Sequence, residues 1–426
     1  MLYQRRTPTS IISWLFSFIV FPYVSILLYF LIGVRKRPDS KNKSFLKLKH
    51  YDDGAIKNSS TSGVTTNNDF ELIRDSVTAY ETLMQEIMKA TKNISISTYV
   101  FKNDFMTQKL LQALSQKALE GVDVRIIIDS LGSYKLYFFQ GCLKELREAG
   151  GKVKFFMPLF RLPYQNYINL RNHRKIYLFD DETLLSGGMN LSSEYLAPVK
   201  TSEEWVDLLF KTQGYATYEY AQIFEADWAY ANNKIARKLK QPEIKIYGDT
   251  QLQVVPSGPD IIGDPLYESL VSKIYNAKER IWIVTPYFVP DESFIRALII
   301  AKHRGVDVKL ITPKQSNHLL ADLSRSSYMR ELSDNEIDLV LYTGNMLHAK
   351  AILFDSNALM IGSVNIDNRS LLVNYEVVSF AYSSGLIEEV ENWIDTLMLN
   401  SDKTMVEGTK ARRIIENFMR VLAPQL

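Results

Sequence analysis

A chain of 426 residues, 46% of them hydrophobic, is long enough for two or three average domains and a sizeable core. Its 50 basic residues against 48 acidic ones leave a net charge of only +2, which excludes a polycation that coats nucleic acid and makes any basic patch local. The single cysteine, Cys142, excludes an intrachain disulfide and suits a reducing compartment.

Residues 11–33, IISWLFSFIVFPYVSILLYFLIG, carry no charge. As one helix they would extend about 34 Å at 1.5 Å per residue, enough for a hydrocarbon core of about 30 Å. The run is too long for a signal-peptide core and lacks a small-residue cleavage site before Arg35-Lys36-Arg37, so it reads as an uncleaved membrane anchor. Arg5 and Arg6 precede it, whereas Arg35, Lys36, Arg37, Lys41, Lys43, Lys47 and Lys49 follow, which directs the following chain to the cytoplasm. Pro22 lies mid-segment, and a kink or a re-entrant hairpin returning to the same face is the alternative. Residues 34–69 continue as a basic and then polar linker, with Asn58 to Asn68 small, polar and flexible in expectation.

Two similar units follow, residues 70–243 and 244–426. Asn93-Ile94-Ser95-Ile96-Ser97-Thr98-Tyr99 resembles Arg280-Ile281-Trp282-Ile283-Val284-Thr285-Pro286-Tyr287, and Gly121-Val122-Asp123-Val124-Arg125 resembles Gly305-Val306-Asp307-Val308-Lys309. Apolar β-branched runs such as Val124 to Ile128 and Ile281 to Val284 predict buried strands, while Leu110 to Leu119 and Phe294 to Lys302 show helical periodicity. The expected fold class is α/β, a tandem duplication: two homologous lobes with largely parallel sheets, packed face to face with one active site between them, plus an N-terminal membrane helix. Between Tyr134 and Tyr167 the aromatics Tyr137, Phe138, Phe139, Phe155, Phe156, Phe160 and Tyr164 interleave with Lys135, Lys144, Arg147, Lys152, Lys154 and Arg161. Such a mixture suits a lipid headgroup level, with ordinary core plus solvated charge as the alternative.

The strongest chemical signal is a pattern present once per unit, His-x-Lys-x-x-x-x-Asp, at His173, Lys175, Asp180 and at His348, Lys350, Asp355. Gly187-Gly188-Met189-Asn190 follows the first and Gly362-Ser363-Val364-Asn365 the second. With Lys and Asp each at a few percent of residues, two such hits among five histidines arise by chance about once in 10,000. The motif is expected on a strand from His173 to Phe179, a turn at Asp180-Asp181-Glu182 and a return strand Thr183 to Gly187. Side chains two apart on a strand share a face, so each His lies beside its Lys, a pairing suited to phosphate. The Asp lies an odd number of residues from the His and points away; of the six catalytic-pattern residues, Asp180 and Asp355 are read mainly as turn or structural carboxylates. Asn190, Asn365 and Ser363 are candidate phosphate donors, and Gly188 in place of a serine removes one donor from the first half-site. Two half-sites together supply a nucleophilic histidine and an acid-base histidine for a two-step displacement at phosphorus, with the lysines offsetting oxygen charge. His50, His303 and His318 lie outside any metal-ligand spacing, so neither metal nor other cofactor is expected.

A working histidine needs a fixed tautomer, and the candidates that hold it are Asp207 and Glu376, one downstream of each motif and each on a predicted strand. At the C-terminus, Lys410 to Leu422 predicts an amphipathic helix with Ile414, Ile415, Phe418, Met419 and Leu422 on one side and Arg412, Arg413 and Arg420 nearby. It packs on the domain or docks on a bilayer.

These doubled motifs are the signature of the phospholipase D superfamily. Within it, Val254-Val255-Pro256-Ser257-Gly258-Pro259-Asp260, Thr285-Pro286-Tyr287-Phe288-Val289-Pro290-Asp291, Ser316-Asn317-His318, Leu347-His348-Ala349-Lys350 and Asn365-Ile366-Asp367-Asn368-Arg369-Ser370 with Asn374-Tyr375-Glu376 resemble the bacterial-type cardiolipin synthase family over nearly the whole chain. The resemblance implies transfer of the phosphatidyl group of one phosphatidylglycerol, through a phosphohistidine, to a second one, giving cardiolipin and glycerol. By analogy with two-motif relatives, His173 is the nucleophile and His348 the acid and base. It further implies phosphatidylglycerol and other anionic phospholipids as partners, no nucleic acid, and a bacterial cytoplasmic (inner) membrane with the lobes facing the cytoplasm. The chain departs from the family in having one N-terminal apolar segment where two are common, and Asn317 where an acidic residue is frequent. The other readings are a superfamily hydrolase, acting on a phospholipid or nucleic acid with water as acceptor, and a catalytically silent scaffold.

Overall fold

The computed structural model describes residues 8–32, 63–159, 169–243, 245–403 and, near the C-terminus, 409, 410, 412–414, 416 and 420. The basic stretch from Arg35 to Lys49, most of the polar linker, Phe160, Arg161 and Tyr164, and Ile415, Phe418, Met419 and Leu422 lie outside the described residues.

Two sheets carry the fold. The first has seven strands in the order Glu71–Ile73, Leu209–Gln213, Thr183–Gly187, Ile176–Phe179, Asn93–Thr98, Asp123–Asp129, Lys152–Phe156. The second repeats that order as Thr250–Ser257, Glu376–Ala381, Ala358–Gly362, Ala351–Phe354, Arg280–Val284, Asp307–Pro313, Asp338–Tyr342, with Thr65–Asn68 and Ser401–Asp402 added at its edges. Each sheet is mixed rather than largely parallel. Its last three strands run parallel, but the motif hairpin lies antiparallel beside the first of them, Ile176–Phe179 on Asn93–Thr98 and Ala351–Phe354 on Arg280–Val284. A hairpin placed there brings each motif next to the first of the three parallel strands of its lobe.

The duplication extends to turn chemistry. The helix Phe105–Leu119 begins at Asp104, whose carboxylate accepts from Thr107 N, and Glu292–His303 begins at Asp291, which accepts from Phe294 N. Both helices are followed by a glycine in the left-handed region, Gly121 and Gly305, each at φ 91°, where a side chain would be strained. The inner faces of the sheets share one apolar interior, in which Ile176, Leu178, Leu184 and Phe210 meet Leu252, Val254, Leu359 and Ile361. Separate clusters under the outer helices complete each lobe. An ion cluster also crosses between the lobes: the fully buried Arg174 lies 2.6 Å from the buried Asp227 and 3.3 Å from the half-buried Asp260, and donates to the carbonyls of Ser257 and Glu376 at 3.0 and 3.1 Å.

Two further expectations are corrected. Thr65–Asn68 is not linker but an edge strand of the second sheet, and the buried Asn68 side chain donates to Thr65 and Thr250 and accepts from Ala216 N at 3.0 Å. The N-terminal apolar run is not one helix but two, Pro8–Val20 and Pro22–Ile32, broken at Phe21 because Pro22 supplies no amide to continue the ladder. The chain bends back there, so the Tyr29 ring meets Trp14 at 5.0 Å and Phe18 at 5.5 Å. Among the described residues no helix is long and apolar enough to cross a membrane.

Candidate active site

The two motifs meet at the interface, and each is hung on the other lobe. Asn172 pairs with Tyr375 and Leu347 with Val206 in isolated parallel bridges. His173 N donates to the Tyr375 carbonyl at 2.9 Å, and His348 N to the Val206 carbonyl at 2.7 Å. The regular strands start only after the lysines, at Ile176 and Ala351, so His and Lys occupy the segments that cross between lobes.

This crossing decides the carboxylate partners. His173 Nδ1 lies 3.0 Å from Glu376 Oε2, and His348 Nδ1 lies 2.7 Å from Asp207 Oδ2. Each histidine is thus held by the carboxylate of the opposite lobe, not by the one that follows its own motif. Glu376 opens a strand as expected; Asp207 does not, lying two residues before Leu209–Gln213. An Nδ1–H given to a carboxylate leaves Nε2 unprotonated in the cavity. Burial lowers the pKa of His173 and lowers that of His348 further, with the neighbouring lysines adding to the effect. Burial likewise pushes Asp207 up to about 7.

The phosphate-donor expectations need revision at Ser363. Its hydroxyl donates to Glu376 Oε2 at 2.5 Å and accepts from Val377 N at 3.1 Å, so it braces the carboxylate and does not face the cavity. At the equivalent place in the first lobe, a Cβ on Gly188 would stand 2.1 Å from Asp207 Oδ1. The glycine therefore makes room for the shorter carboxylate, a steric role and not merely a missing donor. Asn190 and Asn365 both line the cavity, with Asn190 Oδ1 accepting from Val100 N at 3.1 Å.

Lys175 and Lys350 are fully buried and lie behind the histidines, not in the cavity wall. Lys175 Nζ donates to the His173 carbonyl at 2.7 Å, and Lys350 Nζ turns to the His348 carbonyl and lies under the ring, 2.7 Å from His348 Nδ1 and 3.1 Å from its Nε2. Burial pushes Lys175 down to about 7 and Lys350 down to about 8. Asp180 and Asp355 are not brought to the histidines. Asp180 accepts from Thr91, Lys92 and Asn93 amides, and Asp355 from Lys278, Glu279 and Arg280 amides, at the far end of the motif strand. Seven residues of extended chain separate each from its histidine, about 20 Å. Both sit at positive φ, 56° and 50°, a turn conformation that Asp tolerates.

The cavity over the histidines has a volume of about 430 Å³ and is walled by aromatic, amide and arginine side chains. Tyr99 packs edge-on to His173 at 4.9 Å, and Tyr287 lies 6.4 Å from His348. Their equal places after the opening strand of each repeat were visible in the sequence as a signal. Tyr195 was not signalled, because the matching position in the second lobe is Ser370; its hydroxyl lies 3.4 Å from His348 Nε2, and Trp205 flanks the same ring at 5.2 Å. Asn317 accepts from the Tyr287 hydroxyl at 2.5 Å, an amide at the place where the family often carries an acid.

Comparison with known proteins agrees with this architecture. The family described as cardiolipin synthase, PLD-like domain, matches residues 83–228 and 270–398. The chain is 32% identical to a cardiolipin synthase of Clostridium perfringens (strain SM101 / Type A), over 99% of this chain and 95% of that one. It is 34% identical to the major cardiolipin synthase ClsA of Bacillus subtilis (strain 168), over 85% of this chain and 76% of that one. A crystal structure of phosphatidylserine synthase from Haemophilus influenzae Rd KW20 superposes with a TM-score of 0.63 at 15% identity, covering 84% of this chain and 95% of that one, a likeness of fold. With two lobes each carrying one His-Lys motif, and a family match that spans both, the chain belongs to the PLD-like cardiolipin synthase family.

Proposed function

We propose that the protein is a cardiolipin synthase, a phosphatidyltransferase that joins two phosphatidylglycerol molecules and releases glycerol. The observation that carries this reading is the crossed arrangement of two histidines, each with its Nδ1 on a carboxylate of the opposite lobe, in one cavity. His173 Nε2 attacks phosphorus, since it has no hydrogen-bond partner among the described residues. His348 takes up a proton at Nε2, beside Lys350 and the Tyr195 hydroxyl, as the anionic phosphodiester binds, and gives it to the departing glycerol oxygen. The acceptor hydroxyl then gives its proton to His348 as its oxygen bonds to phosphorus and the phosphorus–nitrogen bond breaks. Asn190 and Asn365 hold the phosphate oxygens, and Lys175 and Lys350 offset their charge from behind. Asp207 and Glu376 are positioning residues; Asp180 and Asp355 keep the turns.

The lobes span residues 70–243 and 244–426, the second also taking in the edge strand Thr65–Asn68, and the apolar N-terminus anchors them to the cytoplasmic membrane of a bacterium. The break at Pro22 and the packing of Tyr29 on Trp14 and Phe18 support a re-entrant hairpin as the form of the anchor. Ile12, Phe16, Ile19, Phe21 and Tyr23 are exposed on it, and basic residues at both of its ends, Arg5 and Arg6 and then Arg35 to Lys49, hold both on the cytoplasmic side. The test is to incubate membranes containing the protein with labelled phosphatidylglycerol alone. Cardiolipin with an equal amount of glycerol supports the reading; phosphatidic acid without cardiolipin refutes it in favour of a hydrolase.

A further inference from the structure

A synthase of this kind must hold two phosphates, the one that reacts and the one already carried by the acceptor lipid. In the product they are separated by a single glycerol, so both sites have to lie in one cavity. The histidines, lysines and cavity asparagines serve the first phosphate, and nothing among them is assigned to the second.

Arg369, in the short helix Asn368–Leu372, lines the cavity and is half-buried there. Its guanidinium bonds to neutral groups, Nη1 to Asn169 Oδ1 at 2.7 Å and Nη2 to the Asn169 carbonyl at 2.9 Å. The nearby carboxylate of Asp367 is engaged with Ser370 N at 2.7 Å. Arg171 shares the wall but is balanced by Asp129 at 3.3 Å. Burial, with Arg171 close by, lowers the Arg369 pKa despite the opposing charges of Asp367 and Asp129, neither of which is hydrogen-bonded to its guanidinium. Asn374 stands beside it, its backbone N–H donating to the Arg369 carbonyl at 2.8 Å. Asn374 lines the same cavity, and its buried carboxamide oxygen has no hydrogen-bond partner among the described residues. Two residues further on is Glu376, which holds His173.

We propose that Arg369 and Asn374 form the headgroup subsite of the acceptor lipid, the guanidinium binding its unreacting phosphodiester and the carboxamide oxygen accepting from a glycerol hydroxyl. The subsite rests on the reading that a second phosphatidylglycerol is the acceptor. It places a fixed cation in the wall of the cavity that holds the reacting centre, and so distinguishes an acceptor with a phosphate from one without. Neither residue takes part in bond making.

The test uses the full-length protein in membranes with phosphatidylglycerol as donor and reads two acceptors at once. A second phosphatidylglycerol is read as cardiolipin; labelled free glycerol, which has no phosphate, is read as label entering phosphatidylglycerol. Arg369→Gln is expected to lower the ratio of cardiolipin to glycerol exchange roughly tenfold or more, through a higher KM for the lipid acceptor, with Arg369→Lys restoring part of it. A ratio equal to that of the unaltered protein overturns the proposal. So does an Asn169→Ala variant that lowers the ratio as far as Arg369→Gln, because the arginine then acts through its contact with Asn169. If Arg369→Gln loses both products, Asn374→Leu is read by the same ratio with the same two outcomes. Failure of the unaltered protein to make cardiolipin while it still exchanges glycerol overturns the functional reading instead.

Discussion

Gly188→Ala isolates the carboxylate that orients His348. The added Cβ would lie 2.1 Å from Asp207 Oδ1 and 2.8 Å from its Cγ, both inside van der Waals contact, so the carboxylate must move. It cannot move freely, because Oδ1 accepts from Leu208 N at 2.7 Å and Oδ2 is 2.7 Å from His348 Nδ1. A displaced carboxylate forfeits a charge-assisted hydrogen bond, roughly 1.5–3 kcal/mol, which is about 10- to 150-fold in rate if that bond is made in the transition state. Overpacking adds a stability loss of about 1–3 kcal/mol. The second lobe shows how the same place takes a larger residue: Ser363 fits because Glu376, one methylene longer, reaches His173 from further back and accepts from the serine hydroxyl. Gly188→Ser combined with Asp207→Glu should therefore recover more activity than Gly188→Ser alone. The assay is cardiolipin formation from phosphatidylglycerol at fixed pH, with thermal unfolding measured in parallel. The reasoning is refuted if Gly188→Ala stays within about threefold of the parent, or if the double variant is no better than the single one.

Because the carboxylates cross between lobes, Glu376→Gln should act on the nucleophile His173 and slow formation of the phosphohistidine, whereas Asp207→Asn, acting through His348 in both steps, should slow formation and transfer alike; rapid-quench labelling separates the two, and the reverse pattern would exchange the roles of the histidines. Lys175 and Lys350, pushed down by burial to about 7 and about 8, lose their protons as pH rises through those values, and a bound oxyanion raises both again. Affinity for tungstate, whose charge is constant in this range, should accordingly fall from about pH 7 to about pH 9 with proton uptake on binding, and calorimetry showing a flat or rising affinity would contradict it. Asp180→Ala strips an acceptor from three backbone amides and should cost about 1–2 kcal/mol of stability, read as a lower Tm, while activity per folded molecule stays within about twofold. A loss of several orders of magnitude would return Asp180 to the chemistry. Arg174→Met leaves the buried Asp227 without its cation, and the half-buried Asp260 too, and should destabilise the joined lobes by about 3–5 kcal/mol in denaturant unfolding.

The sequence by itself determined the duplication, the chemistry and the half-site. Spacing along a strand is local geometry, so the equal placement of the two His-Lys pairs, the odd offset that sends Asp180 and Asp355 away from them, and the matching Tyr99 and Tyr287 could all be read before any fold was known. The parallel strands were recognisable for the same reason, but not the antiparallel insertion of the motif hairpin beside them, which depends on pairing between distant segments. Pro22 marked where the apolar run breaks, yet only packing of Tyr29 on Trp14 and Phe18 turned that break into a fold-back. Which carboxylate serves which histidine was decided by tertiary structure alone. Repeat symmetry offers Asp207 and Glu376 equally to either ring, and the choice follows from backbone bridges between lobes that join residues 203 and 141 positions apart. The roles of Gly188 and Ser363 depend in turn on that choice, because a side chain's room is set by what the opposite lobe brings against it.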